Sequence, residues 1–187
     1  MLRKTYLTCS AALLVAAAAC SSSTDLSNNL SASAATQLAA DMDGSSGLAA
    51  AGVSLATGTH NFSVTKPCPQ GGNIALAGTI VATGDQAAQN LVIDATANRT
   101  DTGCAFDTDD GVVTLNGSID YTAHVNIVNG LLSGLQTQTH KGSFTWARPG
   151  GAGSCDVDLS SSWNPATTTA TVTGMFCGNN VNVTQTR

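Results

Sequence analysis

The 187-residue sequence contains no glutamate, and all twelve of its acidic residues are aspartate. Charged residues make up only 10% of the chain and aromatic residues only 4%. Glutamate favours helix interiors, whereas aspartate favours turns and helix caps, so this bias argues against a mainly helical protein. Threonine, valine, asparagine and glycine are abundant in the second half, as is typical of strands and turns. The composition therefore predicts a mainly β, turn-rich domain.

Basic residues are also scarce, since Lys and Arg together number seven and the formal net charge is −5. They form no cluster along the sequence. Binding to a nucleic-acid backbone relies on lysine and arginine to replace counterions, and anionic lipid head groups need a similar basic patch. We therefore predict no nucleic-acid partner and no electrostatic attachment to a membrane.

The usual catalytic and cofactor-binding motifs are missing. There is no Gly-x-Ser-x-Gly, no P-loop, no Gly-x-Gly-x-x-Gly after a strand and no Cys-x-x-Cys pair. His60, His124 and His140 are scattered, and we predict that all three lie on the surface. Asp156 and Asp158 share one face of a strand, where nothing would separate their pKa values as in a glycosidase pair. We therefore predict a protein without catalytic activity, cofactor or metal site.

No apolar run near the N-terminus is long enough to span a membrane. The run after Arg3 and Lys4 ends at Ala19, well under the roughly 18 to 20 residues that a spanning helix needs. A basic start, a short apolar run and small residues are typical of an export signal. Three alanines, at positions 17 to 19, lead directly into Cys20, and serines follow it.

This arrangement resembles the lipobox of bacterial lipoproteins, although Ala17 stands where leucine is preferred. The resemblance implies that residues 1–19 are a removed signal peptide and that Cys20 receives a diacylglycerol and then an acyl group such as palmitate. Two or more chains hold a protein durably on a membrane, so membrane lipid is the expected partner. Ser21 in place of an aspartate favours the outer membrane. The alternative is conventional cleavage near Ala19, with Cys20 left as a spare thiol.

The mature chain divides into two predicted parts, residues 20–57 and 58–187. Residues 21–31 have mostly short, polar side chains, a composition typical of a flexible tether. Residues 31–42 contain good helix formers, with Asn29 or Ser31 as the N-cap. This helical segment either packs on the following domain or belongs to the tether.

From His60 onward the hydrophobic pattern has a period of two. The longest example runs from Val113 to Ile127, with mostly apolar and wholly polar positions alternating, as in a half-buried antiparallel strand. A straight strand of that length would reach about 50 Å, so we expect it to bend, coil or be interrupted. Glycine recurs at 78, 117, 142 and 174 in similar contexts and marks the expected bends. We predict about eight antiparallel strands forming a single curved sheet or an up-and-down, barrel-like meander.

Four cysteines fall in the predicted β domain, and in an exported protein they are expected to form two disulfides. If the turn at 165–167 is centred on residue 166, Cys155 lies opposite Cys177, at a distance compatible with a disulfide. Cys68 and Cys104 then pair by elimination. That register also places Asp156 and Asp158 on the same face as Val172 and Phe176, so a bulge or a slip by two residues stays open. A zinc site is disfavoured because no two cysteines are close in sequence.

The acidic residues at 107, 109 and 110 precede Gly111 and could suggest calcium. A calcium loop of the EF-hand type needs glycine at its sixth place and glutamate at its twelfth, and neither is present. We interpret the segment as a solvated turn, with a weak, irregular calcium site as the alternative.

Together these features predict an exported, lipid-anchored, disulfide-stabilised β domain of the bacterial cell envelope. The predicted role is structural or interactive and not catalytic. The alternative is a binding module that carries a lipid or another apolar ligand in the cavity of a curved sheet closed by the helix.

Overall fold

The computed structural model of the chain describes residues 29–45 and 56–186. The predicted signal peptide, Cys20 and residues 21–28 of the predicted tether lie outside the described residues. The described ranges contain one helix and nine strands, in the order α1 (Ala32–Ser45), β1 (Gly58–Pro67), β2 (Asn73–Asp85), β3 (Asn90–Thr108), β4 (Gly111–Val128), β5 (Leu131–Leu132), β6 (Gln136–Arg148), β7 (Gly151–Asn164), β8 (Thr169–Phe176) and β9 (Asn179–Thr186).

The strands form one antiparallel sheet in the order β1-β2-β3-β4-β6-β7-β8-β9, and the two-residue strand β5 pairs with β4. Each long strand pairs with its neighbours in the chain, which confirms the predicted meander. The sheet is open and not closed into a barrel, and β1 and β9 are its edges in the described part of the chain. The predicted count of about eight strands becomes nine through the short β5.

The sheet is curved around α1. This helix contacts β3 and also β8 and β9, although β4, β6 and β7 lie between β3 and β8 in the sheet. In a flat sheet β3 and β9 would be about 24 Å apart, roughly twice the diameter of a helix. One helix therefore reaches both strands only because the sheet wraps around it, as the predicted curved sheet requires.

Helix α1 forms because its small and apolar residues recur on one side. Ala35, Leu38, Ala39 and Met42 follow the helical spacing and are completely buried against the sheet. The segment therefore packs on the sheet, and of the two alternatives for residues 31–42 the structure favours the packed helix. Its small side chains let the helix axis approach the strands closely.

The long alternating segment forms β4 as expected. Its inward residues are buried on the concave side of the sheet, while Asn116, Asp120 and Thr122 are exposed on the convex side. The concave side chains of the long strands and of α1 join in one hydrophobic core that includes Ile74, Leu76, Ile93, Phe106, Leu115, Ile119, Tyr121, Phe144, Trp146, Val157, Leu159, Val172 and Phe176.

Two of the predicted bend glycines show why no other residue fits. Gly117 has φ 145°, and Gly174 has φ 129°. A Cβ atom at Gly174 would lie 2.1 Å from the carbonyl oxygen of Asp158 on β7, much closer than any real contact. Glycine alone allows this backbone conformation and this close approach.

The turns define two ends of the sheet. The proximal end carries the turns at 68–72, 109–110, 149–150 and 177–178, and the distal end carries those at 86–89, 129–135 and 165–168. Helix α1 begins at the proximal end, since Leu30 contacts Asn179 and Ser31 contacts Asp110 there. Both disulfides also involve this end, because Cys68 and Cys177 lie in its turns.

Candidate functional site: the docking site of helix α1

The N-terminus of α1 is capped by its own chain and by the β3–β4 turn. Ser31 is the N-cap, and its Oγ accepts a hydrogen bond from the backbone of Ala34 at 3.1 Å. The Ser31 amide donates to Oδ2 of Asp110 at 2.9 Å, and the Ser33 hydroxyl donates to Asp109. Two carboxylates thus face the positive end of the helix dipole, where negative charge is stabilising.

The predicted interpretation of the acidic turn as a solvated turn is therefore incomplete. Asp109 and Asp110 dock the helix, and Gln37 accepts a hydrogen bond from the Asp109 amide at 2.8 Å. Burial alone would raise the pKa of Asp110, but hydrogen bonds from Ser31 and the charge of Arg148, 3.6 Å away, hold that pKa below its usual value. In the described ranges no three histidine, cysteine or acidic side chains are grouped so as to hold a metal ion.

The C-terminus of α1 is held by an arginine from the sheet. Nη1 of Arg99 donates to the carbonyl oxygen of Met42 at 2.9 Å and to Oγ of Ser45 at 3.1 Å. A cation at this position satisfies a free carbonyl group and complements the negative end of the helix dipole. The sheet therefore supplies acidic groups to the start of the helix and a basic group to its end.

Arg99 is completely buried and is paired with Asp101, which is 2% exposed. The two side chains are joined by contacts of 3.2 and 3.3 Å. Burial lowers the pKa of Arg99 and raises that of Asp101, while the attraction between them opposes both shifts. A guanidinium keeps its charge even so. Each charge is tolerated in the core because the other one is present.

A second group of hydrogen bonds lies around Asp43 on α1, which is 1% exposed. Its Oδ1 accepts hydrogen bonds from Gln138 on β6 and from Ser161 on β7. The hydroxyl of Tyr121 donates to Oε1 of Gln138 at 3.0 Å. Burial, followed by the nearby charge of Asp43, raises the pKa of Tyr121. The helix is thus hydrogen-bonded to the sheet through a buried carboxylate.

His140 adjoins these residues and is completely buried, so the prediction that it lies on the surface is wrong. Its ring centroid is 5.3 Å from that of Tyr121. Among the described residues neither of its ring nitrogens has a hydrogen-bond partner. Burial, followed by the charge of Arg99, lowers the pKa of His140 to about 3, so the ring is neutral at physiological pH. Its placement follows from the alternation of β6, which directs His140 inward together with Phe144 and Trp146.

These groups form one polar cluster, buried except for the half-buried Gln138, and consisting of Asp43, Arg99, Asp101, Tyr121, Gln138, His140 and Ser161. The alternation of β3 already places positions 99 and 101 on the inward face, and the helical spacing of α1 places position 43 beside position 39. This signal is present in the sequence, but charged residues are so seldom buried that it predicts no site by itself. Chemically, the cluster fastens α1 to the sheet.

His124 lies on the convex side, as predicted for a surface histidine. Its Nδ1 is 2.7 Å from Oδ1 of Asp94, and its Nε2 is 3.2 Å from Nδ2 of Asn126. A histidine–aspartate pair becomes catalytic when the second ring nitrogen faces a nucleophile, but here that nitrogen faces an amide. The arrangement links neighbouring strands.

The two predicted cysteine pairs are at disulfide distance, with Cα separations of 5.4 Å for Cys68–Cys104 and 4.3 Å for Cys155–Cys177. This pairing is confirmed. Because all four cysteines are paired, none of them is available for the alternative of a zinc site. Disulfides are typical of an oxidising, exported environment.

The predicted register behind the second disulfide is wrong by one residue. Val157 pairs with Phe176, so in the β7–β8 ladder Cys155 is not directly opposite Cys177. Cys177 instead lies in the β8–β9 turn with φ 51°. Because a shift of one residue exchanges the two faces of a strand, Asp156 moves to the exposed side and its conflict with the apolar face disappears.

The first disulfide depends on an irregularity in β3. The pairing of β3 with β4 shifts between Asp101 and Cys104, so that residues 102 and 103 lie opposite Asn116 alone. Gly103 adopts φ 57° there, and its amide donates to the side chain of Asn116 at 2.6 Å. This bulge exchanges the faces of β3 and turns Cys104 toward the core.

The convex side of the sheet has a shallow hollow of about 540 Å³. It lies above Gly142 and Gly178, which contribute no side chains, and Met175 borders it. Asp156 and Asp158 are on its rim, and Lys141 forms an exposed ion pair with Asp158 at 3.0 Å. The prediction that these two aspartates lie on a solvated strand face is confirmed.

Comparisons with protein-family models, with curated proteins and with solved structures found no match. Within the described residues, no helix has the length and apolar character needed to cross a membrane.

Proposed function

We propose that the protein is a lipid-anchored component of the bacterial cell envelope with a structural or interactive role, and that α1 joins the anchor to the sheet. Cys20 would carry the lipid, and the disulfide-stabilised sheet would be presented at the surface of the outer membrane. The single observation that carries the structural part of this proposal is the docking of α1 at both ends.

The attachment of α1 suits a connection between a membrane anchor and a domain. Asp109 and Asp110 hold the start of the helix, and Arg99 holds its end. A helix that joined the sheet through apolar contacts alone would slide more readily, because such contacts have no preferred direction. Fixed hydrogen bonds at both ends would transmit the position of the anchor to the sheet.

The length of the predicted tether sets how far the domain can stand from the membrane. Asn29 is nine positions after Cys20, and a fully extended chain of that length spans at most about 31 Å. The helix begins at the proximal end of the sheet. The proposal therefore places the proximal end, with both disulfides, toward the membrane and the distal turns away from it.

The alternative of a lipid carrier has less support. A carrier needs an open apolar cavity of several hundred Å³. Helix α1 and the core side chains occupy much of the concave side of the sheet, and Ala35, Leu38 and Met42 are fully buried there. An apolar ligand in that part of the sheet would have to displace the helix and break the hydrogen bonds of Arg99.

The test is the intact mass of the mature protein from an envelope extract, compared with that of a Cys20→Ser variant. We expect the native chain to start at Cys20 and to carry acyl mass, and the variant to lack that mass and leave the membrane fraction. Cys9→Ser is the matched control, because it removes a cysteine from the predicted signal peptide and should change nothing in the mature chain. An unacylated mature chain with a free Cys20 thiol would overturn the proposal.

A further inference from the structure

The edge strand β9 differs from the other edge of the sheet. All eight of its residues, Asn179–Thr186, are uncharged, and none is proline or glycine. β1, in contrast, contains Lys66 with its side chain inward and ends at Pro67. Inward charges and prolines are devices that keep foreign strands from pairing with an edge. β9 has neither device.

Its backbone groups are arranged to receive another strand. The two-residue turn formed by Cys177 and Gly178, with φ 51° and 76°, makes Phe176 and Asn179 a hydrogen-bonded pair. Pairing then alternates, so the amide and carbonyl groups of Asn180, Asn182 and Thr184 point away from β8. Within residues 29–45 and 56–186 no group hydrogen-bonds to them.

We propose that β9 binds an extended segment of a partner polypeptide, which adds one strand to the sheet. The proposal deepens the interactive role proposed above by assigning that role a surface. Backbone hydrogen bonds to the outward groups of β9 would supply affinity, and the side chains on either face would supply selectivity.

The neighbouring side chains specify the chemistry of the partner segment. On the concave side it would lie beside Val181, which is 3% exposed, and the partly buried Val183. On the convex side it would lie beside the exposed Asn182 and Thr184. The segment that fits alternates β-branched apolar residues with small polar ones. Flanking lysines suit it, because the chain has an excess of acidic residues that attracts positive charge.

A second copy of the chain fits this edge less well than a single segment. When two β9 strands pair antiparallel about a two-fold axis, the concave faces of both sheets lie on the same side of the joined sheet. Both sheets would then curve toward each other and crowd their helix-filled concave sides together. A lone segment continues the curve without this conflict.

The test uses the soluble chain from residue 20 with Cys20→Ser, so its outcome does not depend on the lipid. The probe is a nine-residue peptide of alternating valine and threonine with a lysine at each end. The control peptide has the same composition without the alternation. Amide hydrogen exchange and ¹⁵N chemical shifts report binding residue by residue.

In the free protein we expect the amides of Asn180, Asn182 and Thr184 to exchange at least about tenfold faster than those of Val181 and Val183, which bond to β8. The alternating peptide should slow the three outward amides, and the control peptide should not. Asn182→Pro should abolish binding because it removes an outward amide and no bond to β8. Asn182→Ala, which keeps that amide, should bind normally.

Three outcomes would overturn the proposal. The first is protection of the outward amides in the free protein, which would show that the chain covers its own edge. The second is binding of the alternating peptide at β1 or in the convex hollow. The third is a concentration-dependent dimer that protects β9, which would assign the edge to a second copy. If Asn182→Pro does not fold, the exchange pattern of the unmodified chain still decides between these outcomes.

Discussion

His140 should make the stability of the domain depend on pH over an unusually wide acid range. Its pKa is lowered from 6.5 to about 3 in the folded protein, because burial disfavours the charged form of the ring. In the unfolded chain the ring takes up a proton near its ordinary pKa. The neutral ring's contribution to stability is therefore fully present above about pH 6.5 and is lost as the pH falls toward 3.

The magnitude follows from the size of the shift. Each pH unit within that window costs about 1.4 kcal/mol, so the shift of about 3.5 units corresponds to roughly 5 kcal/mol of unfolding free energy. Asp101 has the opposite effect on stability. Because its pKa is raised in the folded protein, protonation of its buried carboxylate at lower pH increases the free energy of unfolding. Asp110 acts with the same sign as His140 but only in the more acidic part of the range. The contribution of His140 must therefore be obtained as a difference between two proteins.

The measurement is urea unfolding followed by tryptophan fluorescence between about pH 3.5 and 7.5, with disulfides intact, for the native chain and His140→Phe. We expect the variant to lose most of the slope of stability against pH above about pH 4. Leu115→Ala is the control, because it destabilises the core without a titratable group and should lower the whole curve in parallel. Identical slopes for the native chain and His140→Phe would refute the assignment of a neutral, buried histidine.

Three further variants test the docking of α1 and the bent strands. Arg99→Met should destabilise the fold by about 3–5 kcal/mol in urea unfolding at pH 7, because it leaves Asp101 buried without its partner; the double variant with Asp101→Leu should recover much of that loss. Ser31→Ala should cost about 1 kcal/mol in the same assay through loss of the N-cap, whereas equal stability would show that the cap is replaceable. Gly174→Ala should cost more than about 1 kcal/mol, because its φ of 129° and the nearby carbonyl oxygen exclude a Cβ atom; an unchanged melting temperature would contradict this.

The sheet could be predicted from the sequence because its signals are local. The alternation in β4 and the glycines at turns and bends depend on residues that are close in the chain. The cysteine pairing could also be predicted, since the turn at 165–168 brings Cys155 and Cys177 near each other even when the register is wrong by one.

The docking site of α1 was harder to predict because its parts are far apart in the chain. The residues near Asp110 in the sequence do not indicate that it faces the helix, because its hydrogen-bond partner Ser31 lies 79 positions earlier. Arg99 and Asp101 are hard to predict for a different reason. Each would be very costly to bury alone, and only the three-dimensional structure shows that they are buried as a pair.

The same docking site fixes an order of events in folding. Helix α1 is the first described element, yet its most extensive contacts are with β9, the last strand, and the hydrogen bond between Leu30 and Asn179 joins residues 149 positions apart. Contacts of such long sequence separation form late and slow folding, because much of the chain must be ordered before they can close. A chain that folds from its N-terminus onward would therefore expose α1 before its binding surface exists. The domain can close around its helix only after the final strand, β9, is available to pair with β8.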